Sequence, residues 1–88
     1  MDEEDGKLIR ISFEKDKQRA AAYDGSAFVG FCEVQMTGES WTIVHTEVES
    51  AYGGRGIAKK LIRCVCEQAE KEKADVVPVC TYAKKVLE

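Results

Sequence analysis

"GGRGIAKKL", residues 53–61, sets three glycines, one arginine and two lysines where a β-branched run gives way to a helical pattern. Upstream, "WTIVHTEV" (41–48) reads as a strand. Downstream, Ile57, Leu61, Val65 and Ala69 recur every four residues, and Ala58, Ile62 and Cys66 widen the stripe before the solvated "EKEK" (70–73). That spacing predicts one helix over about 54–73. "DVVPVC" (75–80) then returns to a strand. Strand, helix and strand in this order make a crossover unit, whose two strands run parallel in nearly all cases. Ligands of such units gather at the carboxyl ends of the parallel strands, where the helix N-terminus also points. Here that edge collects Glu47, Val48, the loop 49–56 and Cys80.

The rest of the chain supplies antiparallel strands. "KLIRISFEKD" (7–16) and "QRAAAYDG" (18–25) are weakly strand-like, the second ending on an Asp-Gly turn signal. "AFVGFCEVQM" (27–36) is a stronger strand, joined to 41–48 by the hairpin-type connection "TGES" (37–40). "TYAKKVLE" (81–88) is a last short helix or an extension. Pro78 has no N–H for a ladder, so its strand lies at an edge or is locally separated from its neighbour. The expected fold class is α+β: an antiparallel meander, a strand-helix-strand crossover and a short C-terminal helix, with one mixed sheet.

Size and composition narrow the function. With 88 residues, 44% of them hydrophobic, the chain has material for one core, so the expectation is a single domain over 1–88. No apolar run approaches the ~18 residues that span a bilayer, and the N-terminus has no signal-peptide pattern. A soluble, cytoplasmic protein without a membrane partner is expected. Net charge is −3, but "MDEED" holds four of the sixteen acids, leaving twelve against thirteen basic residues in the body. Residues 1–6 read as an acidic tail without fixed structure. The local positive site at Arg55, Lys59, Lys60 and Arg63 is too short for a nucleic-acid face, which needs a longer stripe with interleaved aromatics. The four cysteines (Cys32, Cys64, Cys66, Cys80) lack C-x-x-C pairs and read as reduced thiols, which weighs against a thiol-redox protein. Zinc is not expected either, since the one histidine is His45 and Cys64 and Cys66 point to different sides of a helix.

What the glycine loop holds follows from its chemistry. Glycines let backbone approach an anion, and the helix entrance supplies unpaired N–H groups with the positive end of a dipole. Arg55 and Lys59 add charge there. Phosphate is the natural guest; the alternative is a flexible turn before a solvated helix face. A nucleoside-triphosphate loop requires G-x-x-x-x-G-K-[ST], and no Lys-Ser or Lys-Thr pair occurs. A dinucleotide fingerprint fails at its third glycine, where Lys59 stands, and Asp75 begins a strand instead of ending one.

"HTEVESAYGGRGIAKKL" followed by "VVPVCTY" resembles the GNAT superfamily of N-acetyltransferases, in particular its branch of small single-domain proteins, over residues 41 to about 84. The superfamily loop pattern [QR]-x-x-G-x-[GA] falls on residues 53–58, where Gly56 and Ala58 match and Gly53 replaces the usual Gln or Arg. The small branch also carries a histidine in an "HT-x-V" strand and a cysteine in a "P-x-C" strand, here His45 to Val48 and Pro78 to Cys80.

The resemblance implies a truncated GNAT-like fold that binds acetyl-CoA as cosubstrate. It places the pyrophosphate on the backbone of Gly53, Gly54, Arg55, Gly56, Ile57 and Ala58, with Lys59 beside it, and the pantetheine arm along strand 41–48 to Val48. Larger members insert two helices that shape the acceptor pocket, and this chain has no room for them, so the amine acceptor stays unidentified. Cys80 is the favoured reactive side chain, with Thr81 as the expected cap of a terminal helix whose N-terminus favours thiolate; its other reading is a small core hydrophobe. His45, in phase with Ile43 and Glu47, is its expected proton acceptor or else a half-buried strand residue. Glu47 is a base acting through water or a solvated strand-edge residue, and Tyr82 packs or donates a proton. Two functions stand: an acetyl-CoA-dependent N-acetyltransferase, acting directly or through acetyl-Cys80, and a non-catalytic acyl-CoA-binding module working with a partner protein.

Overall fold

The computed structural model describes residues 9–87; the expected acidic tail at 1–6 lies outside them. Five strands form one sheet in the order β1-β2-β3-β4-β5: Ile9–Glu14, Arg19–Asp24, Ala27–Thr37, Ser40–Val48 and Asp75–Pro78. The first four make an antiparallel meander, and β5 joins β4 in parallel after the crossover helix α1 (Ile57–Lys71). A second helix, α2 (Thr81–Leu87), ends the described chain. The architecture is the mixed α+β arrangement expected of the sequence. No helix among the described residues is long and apolar enough to cross a membrane.

The helix α1 lies across β1 to β4 and touches α2. Its buried stripe is Ile57, Leu61, Ile62, Val65 and Ala69, and it meets Ala20, Ala22, Val29, Cys32, Val34, Trp41 and Ile43 from the sheet. Two of the three consecutive alanines of β2, Ala20 and Ala22, thus belong to the core beneath the helix. The helix starts three residues later than its expected position at 54. Gly54 and Gly56 have φ of +76° and +75°, in the left-handed region, which a continuing right-handed helix excludes. At the other end Lys73 is left-handed, and the Ala74 N–H bonds the Ala69 carbonyl at 2.8 Å, so the chain turns off towards β5.

One inserted residue on β4 positions the site. The β3–β4 register pairs Glu33 with His45 but Val34 with Ile43, so Val44 has no partner and forms a bulge. Side chains alternate along a strand, and a bulge resets the count. Trp41 and Ile43 are buried before it, and Thr46 after it. The expectation that His45 is in phase with Ile43 is therefore corrected: His45 shares a face with Glu47 and not with Ile43, while Thr46 points to the helix side.

At the same level β5 leaves. Its pairing with β4 ends at Ile43 opposite Pro78, where proline offers no ladder donor. The strand is thus shorter than the expected 75–80. The Ile43 carbonyl receives both the Val79 N–H (3.0 Å) and the Cys80 N–H (3.1 Å), and the chain then turns into α2. Beyond Ile43, β4 continues as an edge on this side, facing the gap left by β5.

Candidate active site

The end of β4 leads to the glycine loop through a short 3₁₀ turn, Ser50–Tyr52. Tyr52 ties that turn down: its hydroxyl donates to Asp24 Oδ2 at 2.6 Å, and this bond to a carboxylate pushes the phenol pKa up. The Arg55 guanidinium stands 5.3 Å from the Tyr52 ring centre, a cation-π contact. Gly56 caps α1 in the left-handed conformation, with no side-chain capping bond. The first intrahelical bond is Lys60 N–H to the Gly56 carbonyl. The amides of Ile57, Ala58 and Lys59 therefore have no acceptor within the helix.

These residues line one cleft of about 310 Å³, walled by Val48, Tyr52, Gly53, Gly54, Gly56, Ile57, Ala58 and Lys59 on one side and by Tyr82, Lys85 and Val86 of α2 on the other. Every expected ligand-binding residue but Arg55 is in that lining. The cleft suits a long molecule with an anionic head: its floor is largely apolar, two lysines flank it, and its backbone is glycine at three positions. A side chain at Gly53 would press on the Ser50 carbonyl at 3.3 Å. Gly30 acts from the neighbouring strand, where a Cβ would meet the Glu47 carbonyl at 3.0 Å and Val48 Cγ2 at 3.2 Å; only glycine lets β3 approach the end of β4 this closely.

Further in along β4, two residues before Val48, lies Thr46, the one buried polar side chain among the described residues at 4% exposure. Its Oγ1 sits 3.5 Å from Cys32 Sγ and 3.4 Å from Cys80 Sγ. Cys80 also accepts the Ala83 N–H at its sulfur, at 3.3 Å, and its carbonyl accepts the Lys84 N–H. Cys80, not the expected Thr81, is therefore the N-cap of α2. With β5 ended at Pro78, the helix begins at Thr81, and the residue before it takes the capping position. Burial pushes the Cys32 thiol up to about 11 and raises those of Cys64 and Cys66 as well. No group of three or more His, Cys, Asp or Glu side chains among the described residues could hold a metal ion.

The open face of the sheet carries the other expected residues. His45 Nε2 lies 3.1 Å from Glu47 Oε1, and the imidazole packs 5.8 Å from the Phe31 ring. Both side chains are more than half exposed. A shallow groove of about 100 Å³ adjoins them, lined by Phe28, Val29, Gly30, Phe31, Glu47 and Glu49. Cys80 and His45 are thus not hydrogen-bonded partners: Cys80 meets Thr46 and Ala83, and His45 meets Glu47. Tyr82, 54% exposed, lines the cleft on α2. Three site residues are not singled out by the sequence pattern. Thr46 lies within the "HT-x-V" motif but its inward face is hidden by the bulge, Lys85 resembles any solvated lysine, and Tyr52 gains its role only through a bond to the end of β2, 28 residues away.

A loop of glycines at a helix entrance, beside a strand that loses its parallel neighbour, is the site expected of an enzyme class that draws an acyl-CoA between two splayed strands. The family model of the GCN5-related N-acetyl-transferases matches residues 12–88, nearly the whole chain, and the protein belongs to that family. Family membership supports acetyltransfer from acetyl-CoA to an acceptor as the general activity.

Proposed function

We propose that the protein is an N-acetyltransferase of the small single-domain branch, which takes the acetyl group from acetyl-CoA onto Cys80 and passes it to an amine. One observation carries this reading: the unpaired edge of β4 beyond Ile43 runs between the glycine-lined cleft and the Cys80 thiol. In it, the amides of Ile57, Ala58 and Lys59, with Lys59, Arg55 and Lys85, hold the phosphates. The pantetheine arm lies along the free β4 edge by Val48 and brings the thioester towards Cys80. When bound, acetyl-CoA supplies the activated acetyl group.

Cys80 sulfur then attacks the acetyl carbonyl. The bond to CoA sulfur breaks, and CoA leaves as a thiol with the proton Cys80 gave up. Exchange between thioesters is near thermoneutral, which suits a transient intermediate. An amine entering from the open face attacks acetyl-Cys80 through the gap left by β5. Glu47, with His45, takes the amine proton and the thiol is restored; Tyr82 closes the cleft by packing. The uncovered sheet face also favours a second reading, an acyl-CoA-binding module that presents its ligand to a partner protein seated there.

Incubation with acetyl-CoA followed by peptide mass spectrometry tests the first reading. Cys80 is expected to be acetylated well before Cys32, Cys64 and Cys66. His45→Ala should leave that labelling unchanged and slow only the transfer to an added amine. Full transfer by Cys80→Ala would remove the acetyl-thiol and leave direct attack assisted by Glu47; labelled Cys80 that never releases acetyl to amines would favour the module.

A further inference from the structure

Among the described residues, the Thr46 hydroxyl is the one side-chain polar group of the sheet that reaches the Cys80 sulfur, and it has a single proton for two sulfurs. We infer that Thr46 is the positioning residue of Cys80, and that Cys32, Thr46 and Cys80 form a hydrogen-bond chain that reverses when Cys80 becomes the thiolate. The inference rests on Cys80 being the reacting thiol. The geometry stands apart from that reading, in two contacts of 3.5 and 3.4 Å converging on one buried oxygen.

In the resting direction the Thr46 O–H donates to Cys32 Sγ. Its oxygen is then an acceptor towards Cys80, whose S–H supplies the proton. Once that proton has left to solvent, ahead of attack on the acetyl carbonyl, the hydroxyl turns. Thr46 O–H now donates to the Cys80 sulfur, and the Cys32 S–H donates to the oxygen just vacated. Apart from the S–H proton that Cys80 has lost, no covalent bond changes among the three residues, and the Thr46 oxygen and both sulfurs keep a partner in both directions.

The reversal requires that Cys32 keep its proton while Cys80 loses its own. Cys32 is fully buried in the core cluster, and burial holds its thiol protonated to about 11. It also requires an oxygen that cannot swing away. Threonine is β-branched and stiff at χ1, and Thr46 is buried. The thiolate then receives two donors, the Thr46 hydroxyl and the Ala83 N–H, and a hydrogen bond to an ionised acceptor is the stronger kind.

The test is alkylation of the whole protein by iodoacetamide near neutral pH, read peptide by peptide, with half-buried Cys64 as the internal standard. Thr46→Val keeps the shape and removes the donor. It should slow Cys80 alkylation about three- to tenfold, the range left after the weaker intrinsic nucleophilicity of a better-stabilised thiolate is discounted. Thr46→Ser returns the hydroxyl and should come within about twofold of the parent. Cys64 should react equally in all three proteins, and Thr46→Val should melt no lower than the parent. An unchanged Cys80 rate in Thr46→Val, or equal slowing by valine and serine, overturns the inference. Acetyl mapping separates its failure from that of the acetyl-Cys80 reading: parent protein acetylated at Cys80 beside a Thr46→Val with unchanged alkylation discards Thr46 alone. A slowed Thr46→Val beside a parent never acetylated at Cys80 discards the intermediate and leaves Thr46 as the positioner of that thiol.

Discussion

Two pairs of residues alternate along the last four residues of β4 and live in different worlds. Thr46 and Val48 face the helices, where one joins two thiols and the other lines the cleft. His45 and Glu47 face open solvent beside an aromatic row. On the open side, Phe28 and Phe31 stack at 6.0 Å, the Arg19 guanidinium covers Phe28 at 4.6 Å, and Arg19 Nε is paired with Glu14 at 2.7 Å. A bond from the Tyr23 hydroxyl first, then one from Arg19, keep the Glu14 carboxyl below its usual range. The difference shows that a single bulged residue, Val44, assigns the faces: it turns the histidine outward and the threonine inward. The two thiols beside Thr46 are hydrogen-bonded on the helix side, one buried and one partly buried, while the imidazole and the carboxylate stand in solvent.

The largest expected effect strikes the covered side. Gly56→Val puts a β-branched residue at φ +75°, a conformation costing about 1–2 kcal/mol, although no atom within 4 Å would obstruct its Cβ. The fold should survive with a lowered melting point, while the first-turn amides lose their alignment and CoA binding falls below detection in calorimetry. His45→Ala, on the open side, should bind CoA within about twofold of the parent, since an exposed strand residue away from the cleft contributes little. Equal losses from both replacements would erase the distinction between the faces.

A smaller effect lies in alkaline stability. The folded Cys32 thiol titrates at about 11 against an ordinary 9.0. Between those values the unfolded chain has lost a proton that the folded chain keeps, so stability falls as pH rises from about 9 to 11 and is unaffected below. Two units correspond to about 2–3 kcal/mol at most. Cys32→Ala should flatten part of that decline in urea titrations at several pH values, with the other groups held protonated in the fold, Cys64, Cys66, Tyr23 and Tyr52, contributing to the remainder. A slope unchanged by Cys32→Ala would mean that the thiol is not held protonated by its surroundings.

Much of the fold is legible in the chain because periodicity encodes it. The four-residue recurrence from Ile57 to Ala69 matches the buried stripe of α1, and Pro78 marks where β5 stops pairing. The glycine loop is legible for the same local reason, since 53–58 lies at a strand-to-helix junction. The face of His45 is not. A bulge depends on the register between β3 and β4, and alternation read along β4 alone carries His45 to the wrong side. Cys80 as its own helix cap is equally hidden, because Thr81 has the better intrinsic capping chemistry and only the early end of β5 decides between them.

The central claim is that the glycine loop and the free edge of β4 receive coenzyme A. Titration of ¹⁵N-labelled protein with CoA and acetyl-CoA, followed amide by amide, tests it most directly. The account predicts that the shifts concentrate in residues 48–60, with a smaller response around Tyr82 and Lys85 across the cleft and none at Phe28 and Phe31. Shifts concentrated at the open face, with the loop silent, would contradict it.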